Sequence, residues 1–346
     1  MAETAPFRFG VEVELLLESR GWKKHNQWKP LADELSGKLA KADVDNHVDD
    51  LTPVKNYTEW SIAREITVRD INNPSAIGVE LVSPIYSSTA VPSLTAELTT
   101  IFATIRKNFV IHPSPHCSTH IHVSQPSTPF APSSLAALAK AVLYFESALD
   151  SLMPNRTAET YWARPNRSPG NPELAGLTLP QALSKIDEMA AVEEQDNTER
   201  DPLLPLVKAM NLVTGSSNVG RARDSSTEDR MRGKTYRWDF TGLLRSSYPS
   251  TGKGDGAERS IAGTVEFRQP PGSGTAGEAV AWAVLGVAFV VGAGVVGGSL
   301  SVGGEEAGGT LKELWEMLER GREVVGWGDL KVLEGMFKSV GQGKGA

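Results

Sequence analysis

The chain has 346 residues, of which 40% are hydrophobic, and a net charge of -7 from 35 Lys and Arg against 42 Asp and Glu. This length and composition suit a soluble core that folds unaided. The acidic balance gives no general attraction to nucleic acid or to an anionic membrane. The one cysteine, Cys117, excludes an intramolecular disulfide framework and a zinc site built from several thiolates. With no targeting segment evident, we expect a cytoplasmic protein with no nucleic-acid or membrane partner.

The first half of the chain predicts strands and helices that follow each other without a regular βαβ rhythm. Residues 7–17 alternate apolar side chains with polar ones such as Glu12 and Glu14, which predicts a half-buried strand. A polar loop is expected over 21–56. The pattern then predicts strands at 59–68, 77–85 and 120–124, and helices at 93–108 and 133–152.

The second half contains a stretch rich in Ser, Gly, Arg and Asp at 215–263. It predicts a loop-rich insertion or lid over a site, with one strand-like portion at 234–244. A strand is predicted at 261–269, a helix at 310–325 and a flexible tail at 341–346. Because the chemically interesting strands span most of the chain, we predict one domain over 1–346.

The uncharged stretch 279–304 approaches the length that spans a bilayer. Its many glycines and the absence of flanking basic residues favour a buried core helix instead. Recovery of the full-length protein in the soluble fraction without detergent would decide between these two interpretations.

Glu12 and Glu14 lie two residues apart in a predicted strand, which places both carboxylates on one face about 7 Å apart. His120 and His122 repeat this spacing, and so do Glu266 and Arg268. Each pair alone has an ordinary explanation: a solvated strand face, hydrogen-bonded histidines or a surface ion pair. Glu80, within an otherwise apolar strand, needs a partner or a metal.

The conjunction of the four segments is more informative than any one of them. Four strands that each place Glu, His or Arg opposite apolar residues predict an oxygen-rich cluster, which suits Mg²⁺ or Mn²⁺. An arginine beside such ions offers a permanently charged fork for a phosphoryl group. We expect the Glu266 and Arg268 side chains to face a wet cleft and not the core.

Four motifs in this order resemble the amidoligase branch of the glutamine synthetase and glutamate–cysteine ligase superfamily over roughly residues 7–290. They are Phe9-Gly10-Val11-Glu12-Val13-Glu14, Gly78-Val79-Glu80-Leu81-Val82-Ser83-Pro84, Thr119-His120-Ile121-His122-Val123-Ser124 and Thr264-Val265-Glu266-Phe267-Arg268. The resemblance implies an α+β fold: a glutamine-synthetase-like catalytic domain with a curved, mostly antiparallel sheet and helices packed on its outer face. It also implies ATP and two or more Mg²⁺ or Mn²⁺ ions as cofactors.

The resemblance further implies a role for each motif residue. One metal ion would be bound by Glu12, His120 and Glu266, and a second by Glu14 and Glu80, with Glu65 a weaker candidate. Arg268 would hold the γ-phosphate, and His122 and Ser124 would lie beside the nucleotide. The catalytic residues would be Glu266, Arg268 and Arg237, the last through a phosphate contact.

Three other positions are notable in the same comparison. Asp239 stands where the family commonly has asparagine, and Ser118 where it often has glycine. Arg164 and Asn166 match an Arg-x-Asn element to which the resemblance assigns no role.

The implied reaction is ADP-forming ligation, in which ATP phosphorylates a carboxylate and an amine displaces phosphate to form an amide. The substrates would be small, amino-acid-like carboxylates and amines, and a homo-oligomer is compatible with the sequence. The main alternative is a degenerate nucleotide- or metal-binding protein derived from the ligase fold. A metal-dependent hydrolase is disfavoured because none of the six histidines lies after residue 122.

Overall fold

A computed structural model describes residues 6–21, 24–49, 56–125, 129–154, 156, 161–191, 202–213, 234–244, 263–300 and 307–342. Their strands, in chain order, are β1 Arg8–Ser19, β2 Asn46–Val48, β3 Trp60–Arg69, β4 Ile77–Val82, β5 Tyr86–Ser87, β6 Phe109–His112, β7 Thr119–Ser124, β8 Trp238–Asp239 and β9 Val265–Phe267.

The α-helices within the same residues lie mostly between and after the strands. They are α1 Trp28–Ala40, α2 Val91–Asn108, α3 Pro132–Tyr144, α4 Glu146–Leu152, α5 Leu179–Ala191, α6 Leu204–Asn211, α7 Ala276–Val296, α8 Leu311–Val325 and α9 Lys331–Gln342.

The strands form one open sheet in the order β2-β3-β4-β1-β7-β9-β8, and β5 and β6 also pair with β1. Every pairing is antiparallel except that of β2 with β3. The described residues therefore form a mixed α/β structure with a mostly antiparallel sheet.

Strand β1 is central because it pairs on both sides along its twelve residues. Its apolar members Val11, Val13 and Leu15 are at most 2% exposed and join the main hydrophobic core. Successive side chains of a strand point to opposite faces, so Glu12 and Glu14 lie on the other face. One face of the sheet thus packs against helices while the other carries the polar residues, as the alternation predicted.

Helix α7 is apolar around its whole circumference, and its residues from Ala279 to Ala293 are buried by the sheet and the other helices. It contacts β1 and β7 of the sheet and packs against α2, α3, α8 and α9. By length and composition it could span a bilayer, but 83% of its most apolar window is buried. Helix α7 is therefore the central helix of a soluble domain, which confirms the core-helix interpretation.

Several predicted elements differ from the structure. The stretch 21–56, predicted as a loop, contains α1 and β2. The single helix predicted at 133–152 is two helices that meet at Phe145, whose backbone (φ -94°, ψ 10°) lies outside the helical region. The predicted strand at 234–244 is only β8, because the Asp239 carboxylate accepts a hydrogen bond from the Thr241 N–H and turns the chain.

Other predictions fall partly outside the described residues. Within the predicted lid at 215–263, the structure describes only 234–244 and residue 263. In the predicted tail, residues 341 and 342 belong to α9 and the remainder lies outside the description. The lid and the single domain over 1–346 stay predictions.

Candidate active site

The strand register brings the predicted site residues onto one face of the sheet, here called the polar face. Glu14 of β1 lies opposite Glu80 of β4, and Glu12 lies opposite His120 of β7. His122 of β7 pairs in turn with Glu266 of β9. Six of the motif residues are therefore neighbours across four adjacent strands, although the chain separates Glu12 from Glu266 by more than two hundred residues.

The first cluster on the polar face consists of Glu12, Glu266 and the two histidines. His122 Nε2 lies 3.1 Å from Glu12 Oε1, and His120 Nδ1 lies 3.3 Å from Glu12 Oε2. Glu266 Oε1 is 3.5 Å from His120 Nδ1 and 3.7 Å from His122 Nε2. One ligand atom from each of Glu12, His122 and Glu266 lies within 4.8 Å of the others, and the same holds for Glu12, Glu80 and His120.

The surroundings shift the pKa values of the two histidines in opposite directions. Burial lowers the pKa of His120, and the nearby Arg268 lowers it further. Burial also opposes the charged form of His122, but Glu12 and Glu266 raise its pKa overall. The shift at His120 favours the neutral imidazole, which is the form that binds a metal ion, and the shift at His122 favours the charged form beside Glu12 and Glu266 as long as no cation is bound there.

The second cluster contains three carboxylates, those of Glu14, Glu65 and Glu80, whose oxygens come within 4.8 Å of one another. Burial and then the Glu65 charge raise the pKa of Glu14 to about 8, although Glu14 accepts a 2.7 Å hydrogen bond from the Ser118 N–H. Burial and the Glu12 charge raise the pKa of Glu80 well above its usual value. These carboxylates therefore repel one another and favour a bound cation.

Two basic side chains hold Glu266. Arg268 donates a hydrogen bond to Glu266 Oε1, and Lys234 Nζ lies 2.8 Å from Oε2. Burial alone would raise the pKa of Glu266, but Arg268 and Lys234 hold it well below its usual value. Glu266 and Arg268 are 3% and 8% exposed, so the expectation that they face a wet cleft is wrong.

Asp239 lies beside this group on β8, directly opposite Glu266. Its Oδ1 accepts the Thr241 N–H at 2.7 Å, while its Oδ2 is buried without a hydrogen-bond partner. Burial and then Glu266 raise the pKa of Asp239. An unsatisfied buried carboxylate oxygen is a further sign that the site fits a cation.

The donor set fits Mg²⁺ or Mn²⁺. It offers mainly carboxylate oxygens, with the imidazoles of His120 and His122, in three overlapping groups, and hard divalent ions prefer oxygen ligands. The predicted ligands Glu12, Glu14, Glu80, His120 and Glu266 are all brought together. Glu65 offers an oxygen within 4.8 Å of those of Glu14 and Glu80, and His122 offers a ring nitrogen within 4.8 Å of the Glu12 and Glu266 oxygens.

Arg237 is placed differently from the other predicted catalytic residues. Its guanidinium is 2.7 Å from Asp150 and 3.6 Å from Glu146, both on α4, and it also donates to the Ala163 carbonyl. None of these partners is a predicted metal ligand. The geometry therefore gives Arg237 a contact with α4, and its implied phosphate contact stays a prediction.

Ser124 is buried on β7 opposite Arg8, on the same face as His122. Asn166, which had no assigned role, is fully buried and supports β8. Its side chain donates to the Trp238 carbonyl at 2.9 Å and accepts the Trp238 N–H at 3.2 Å.

Two functional residues were not identified from the sequence. Lys234 adopts a left-handed backbone (φ 44°) that no local pattern indicated. Arg156 is 3% exposed and donates to Ser118 Oγ and to the Pro115 and Gln269 carbonyls. It thereby fixes the residue whose N–H binds Glu14. Its position in a polar loop carried no signal of this role.

Comparisons with known proteins gave one family match and one structural match. Residues 5–165 match the family model described as "Putative amidoligase enzyme", which supports the resemblance seen in the first three motifs. A solved structure described as a novel glutamine synthase homolog aligns with 99% of this chain and 67% of its own, at 13% identity and a TM-score of 0.39. No curated protein matches the chain.

Proposed function

Because residues 5–165 match the amidoligase family, we propose that the chain is an ATP-dependent carboxylate–amine ligase that releases ADP. The observation that supports this most strongly is the polar face itself. It combines three overlapping groups of metal-ligating side chains with two cations, Arg268 and Lys234, at the same carboxylate. Such a combination suits the transfer of a phosphoryl group.

The proposed reaction has two steps. A substrate carboxylate oxygen attacks the γ-phosphorus of ATP, the bond to the β-phosphate oxygen breaks, and ADP leaves. The amine then attacks the acyl carbon, phosphate departs with the bonding electrons, and the nitrogen loses a proton to give a neutral amide. The balance needs no oxidant or reductant.

The residues of the polar face would divide this work. Glu12, His120, Glu266, Glu14 and Glu80, with Glu65, would hold two or more Mg²⁺ or Mn²⁺ ions, which supply charge neutralisation for the phosphates. Arg268 would bind the transferred phosphoryl group, because its guanidinium is positioned by Glu266. His122 and Ser124 lie on the same strand face and would contact the nucleotide. The fold would then be glutamine-synthetase-like.

The proposed setting is cytoplasmic, with small carboxylates and amines as partners. The acidic net charge of -7 disfavours nucleic acid and anionic membranes as partners.

The test is to incubate the full chain with ATP, Mg²⁺ and a panel of carboxylic acids, using hydroxylamine as a general amine. We expect ADP and a hydroxamate in equal amounts with at least one acid, and neither product from Glu266→Gln. Lys312→Gln, on the exposed face of α8, is the matched control and should keep full activity. ATP binding without ADP or hydroxamate from any acid would instead support the degenerate binding protein, for which the Asp239 departure is the motivating observation.

A further inference from the structure

Strand β3 carries a bulge beside the second carboxylate cluster. Its pairing with β4 is regular up to Arg64 and resumes at Arg69 in a shifted register, so the residues 65–68 lie opposite the single residue Gly78. Within the part of the chain that the structure describes, β2 covers the outer side of β3 only as far as Ile62. Bulges bend a strand and redirect its side chains, and they are common at sheet edges and next to active sites.

Gly78 leaves the space that this bulge occupies. An added β-carbon on Gly78 would lie 2.2 Å from the Glu65 carbonyl oxygen and 2.3 Å from the Val68 carbonyl oxygen. Gly78 precedes Glu80 by two residues in β4, so this β-carbon would point to the polar face. The two ends of the bulge therefore fold over the polar face at a position that only glycine leaves open.

The last residue of the bulge is anchored on the same face. Val68 is 1% exposed and belongs to a small apolar cluster that includes Leu16 and Cys117. Leu16 follows Glu14 by two residues in β1, which places the cluster next to Glu14 on the polar face. Ile66, in the middle of the bulge, is by contrast 71% exposed. The bulge is thus held at its ends and not by its middle.

Thr67 orients the Glu65 carboxylate. Its backbone N–H and its hydroxyl both donate to Glu65 Oε1, at 2.6 and 2.5 Å. Two donors on one oxygen restrict the rotation of the carboxylate. Glu65 also offers an oxygen within 4.8 Å of oxygens from Glu14 and Glu80. The bulge therefore brings a third carboxylate to a cluster whose other two members lie on regularly paired strands.

We infer that Thr67 and Gly78 position the Glu65 carboxylate for the second metal ion of the polar face. Thr67 acts by orienting the carboxylate, and Gly78 acts by leaving room for the bulge that carries it. Both are positioning residues, since each acts on the ion through Glu65. The ion itself rests on the proposed function, whereas the inference does not depend on ligation.

The first metal ion provides an internal control. Its predicted ligands Glu12, His120 and Glu266 lie on β1, β7 and β9, where these strands pair in a regular register. None of the three lies in the bulge. Changes in the bulge should therefore weaken the binding of one ion and leave the other unchanged.

The experiment titrates the full chain with Mn²⁺ in the absence of nucleotide, and electron paramagnetic resonance measures the free ion. We expect at least two bound ions, of which Glu65→Ala weakens one. Thr67→Val keeps the shape of the side chain but loses the hydroxyl, and it should weaken the same ion by roughly tenfold. Thr67→Ser keeps the hydroxyl and should bind like the unmodified chain. Thr99→Val, which removes an exposed hydroxyl from α2, is the control and should change nothing.

Two further variants separate positioning from a structural effect. In the Glu65→Ala background, Thr67→Val should weaken the ion no further, because its effect passes through the missing carboxylate. Gly78→Ala should weaken the second ion as much as Glu65→Ala does, because the bulge must move away. The Tm in EDTA shows whether each variant folds, and Thr67→Val decides alone if Gly78→Ala does not fold.

The inference would be overturned if Thr67→Val bound both ions like Thr99→Val, if it weakened both ions equally, or if its effect persisted in the Glu65→Ala background. Two bound ions with any of these results would leave the metal sites of the proposed function intact. An unmodified chain that bound no Mn²⁺ would refute those metal sites and the inference together. The expected Mn²⁺ results in a chain that releases no ADP would uphold the inference while refuting the ligase.

Discussion

The Glu266 carboxylate contacts two basic side chains and two imidazoles in the metal-free chain. Arg268 and Lys234 differ in freedom: the Arg268 side chain is 9% exposed, whereas that of Lys234 is 49% exposed. A divalent ion that binds Glu266 would repel both cations, and only the half-exposed lysine has room to leave. Lys234 therefore competes with the metal ion for the same carboxylate.

We predict that Lys234→Met tightens the binding of Mn²⁺ to the nucleotide-free protein. Removing a unit charge next to the site should strengthen affinity by roughly tenfold, because repulsion of about 1.4 kcal/mol is then relieved in a partly exposed setting. Isothermal titration calorimetry measures the affinity directly. Lys312→Met is the control and should not change it. Equal or weaker affinity in Lys234→Met would show that Lys234 does not compete with the ion.

The burial of Glu266 and Arg268 changes what their removal is expected to do. Glu266→Ala leaves the Arg268 charge enclosed without its carboxylate, which should destabilise the metal-free fold by about 3 kcal/mol. The double variant Glu266→Ala/Arg268→Ala removes both charges, so its loss should be smaller than the sum of the single losses. Urea unfolding in EDTA measures the stability of Glu266→Ala, Arg268→Ala and the double variant. Additive losses would mean that the two side chains are not coupled.

Among the elements, the crossing of α7 and α8 depends on small residues. A β-carbon on Gly292 of α7 would lie 2.3 Å from the Met317 carbonyl oxygen, and one on Gly321 of α8 would lie 2.1 Å from the Ala288 carbonyl oxygen. These are contacts with backbone atoms, which cannot move aside as a flexible side chain can. The two helices are therefore packed at backbone distance.

We predict that Gly292→Ala and Gly321→Ala each destabilise the protein by about 1–3 kcal/mol, because the helices must separate. Gly294→Ala is the matched control in the same helix, since a β-carbon there meets nothing within 4 Å. It should leave stability unchanged or raise it by up to about 1 kcal/mol. Thermal unfolding compares the three. If all three glycine variants behaved alike, the close approach of α7 to α8 would not be stabilising.

The strands of the site could be predicted because their pattern is local. Alternation of period two identified β1, β7 and β9 and the face that each polar residue occupies. The pairing of Glu14 with Glu80, by contrast, could not be read from a local pattern, because it depends on the register of β1 against β4. Lys234 and Asn166 could not be predicted either, because their partners are up to about seventy residues away along the chain and no periodicity connects them. The local sequence pattern therefore indicated the candidate metal ligands but not the residues that hold them in position.

Over the whole molecule, the described residues place the polar side chains of the site on one face of the sheet, and helices cover the other. That arrangement was predictable in outline because a sheet with one apolar face must pack against something. The bulge at 65–68 was not, since it depends on the register of β3 against β4 and on the space at Gly78. The carboxylates of the polar face also make the stability of the protein without metal ions depend on pH.

In EDTA, the protein should become less stable as the pH rises from about 5 to 8. Burial, with the Glu65 charge, raises the pKa of Glu14 to about 8, whereas the unfolded chain loses this proton near the ordinary glutamate pKa of 4.5. A raised folded pKa contributes stability that is complete below the unfolded value and is lost as the pH rises towards the folded one. The slope for one such proton approaches about 1.4 kcal/mol per pH unit.

Urea unfolding in EDTA at several pH values within this window measures the effect. Glu14→Gln carries no titrating proton and should flatten the slope, while Glu316→Gln on the exposed face of α8 should leave it unchanged. Saturating Mg²⁺ should stabilise the unmodified chain more at pH 8 than at pH 6, because the ion binds the ionised carboxylates. Parallel slopes for the unmodified chain and Glu14→Gln would show that this carboxylate does not control the pH dependence. A Mg²⁺ effect that did not grow with pH would mean that the carboxylate cluster is not where the ion binds.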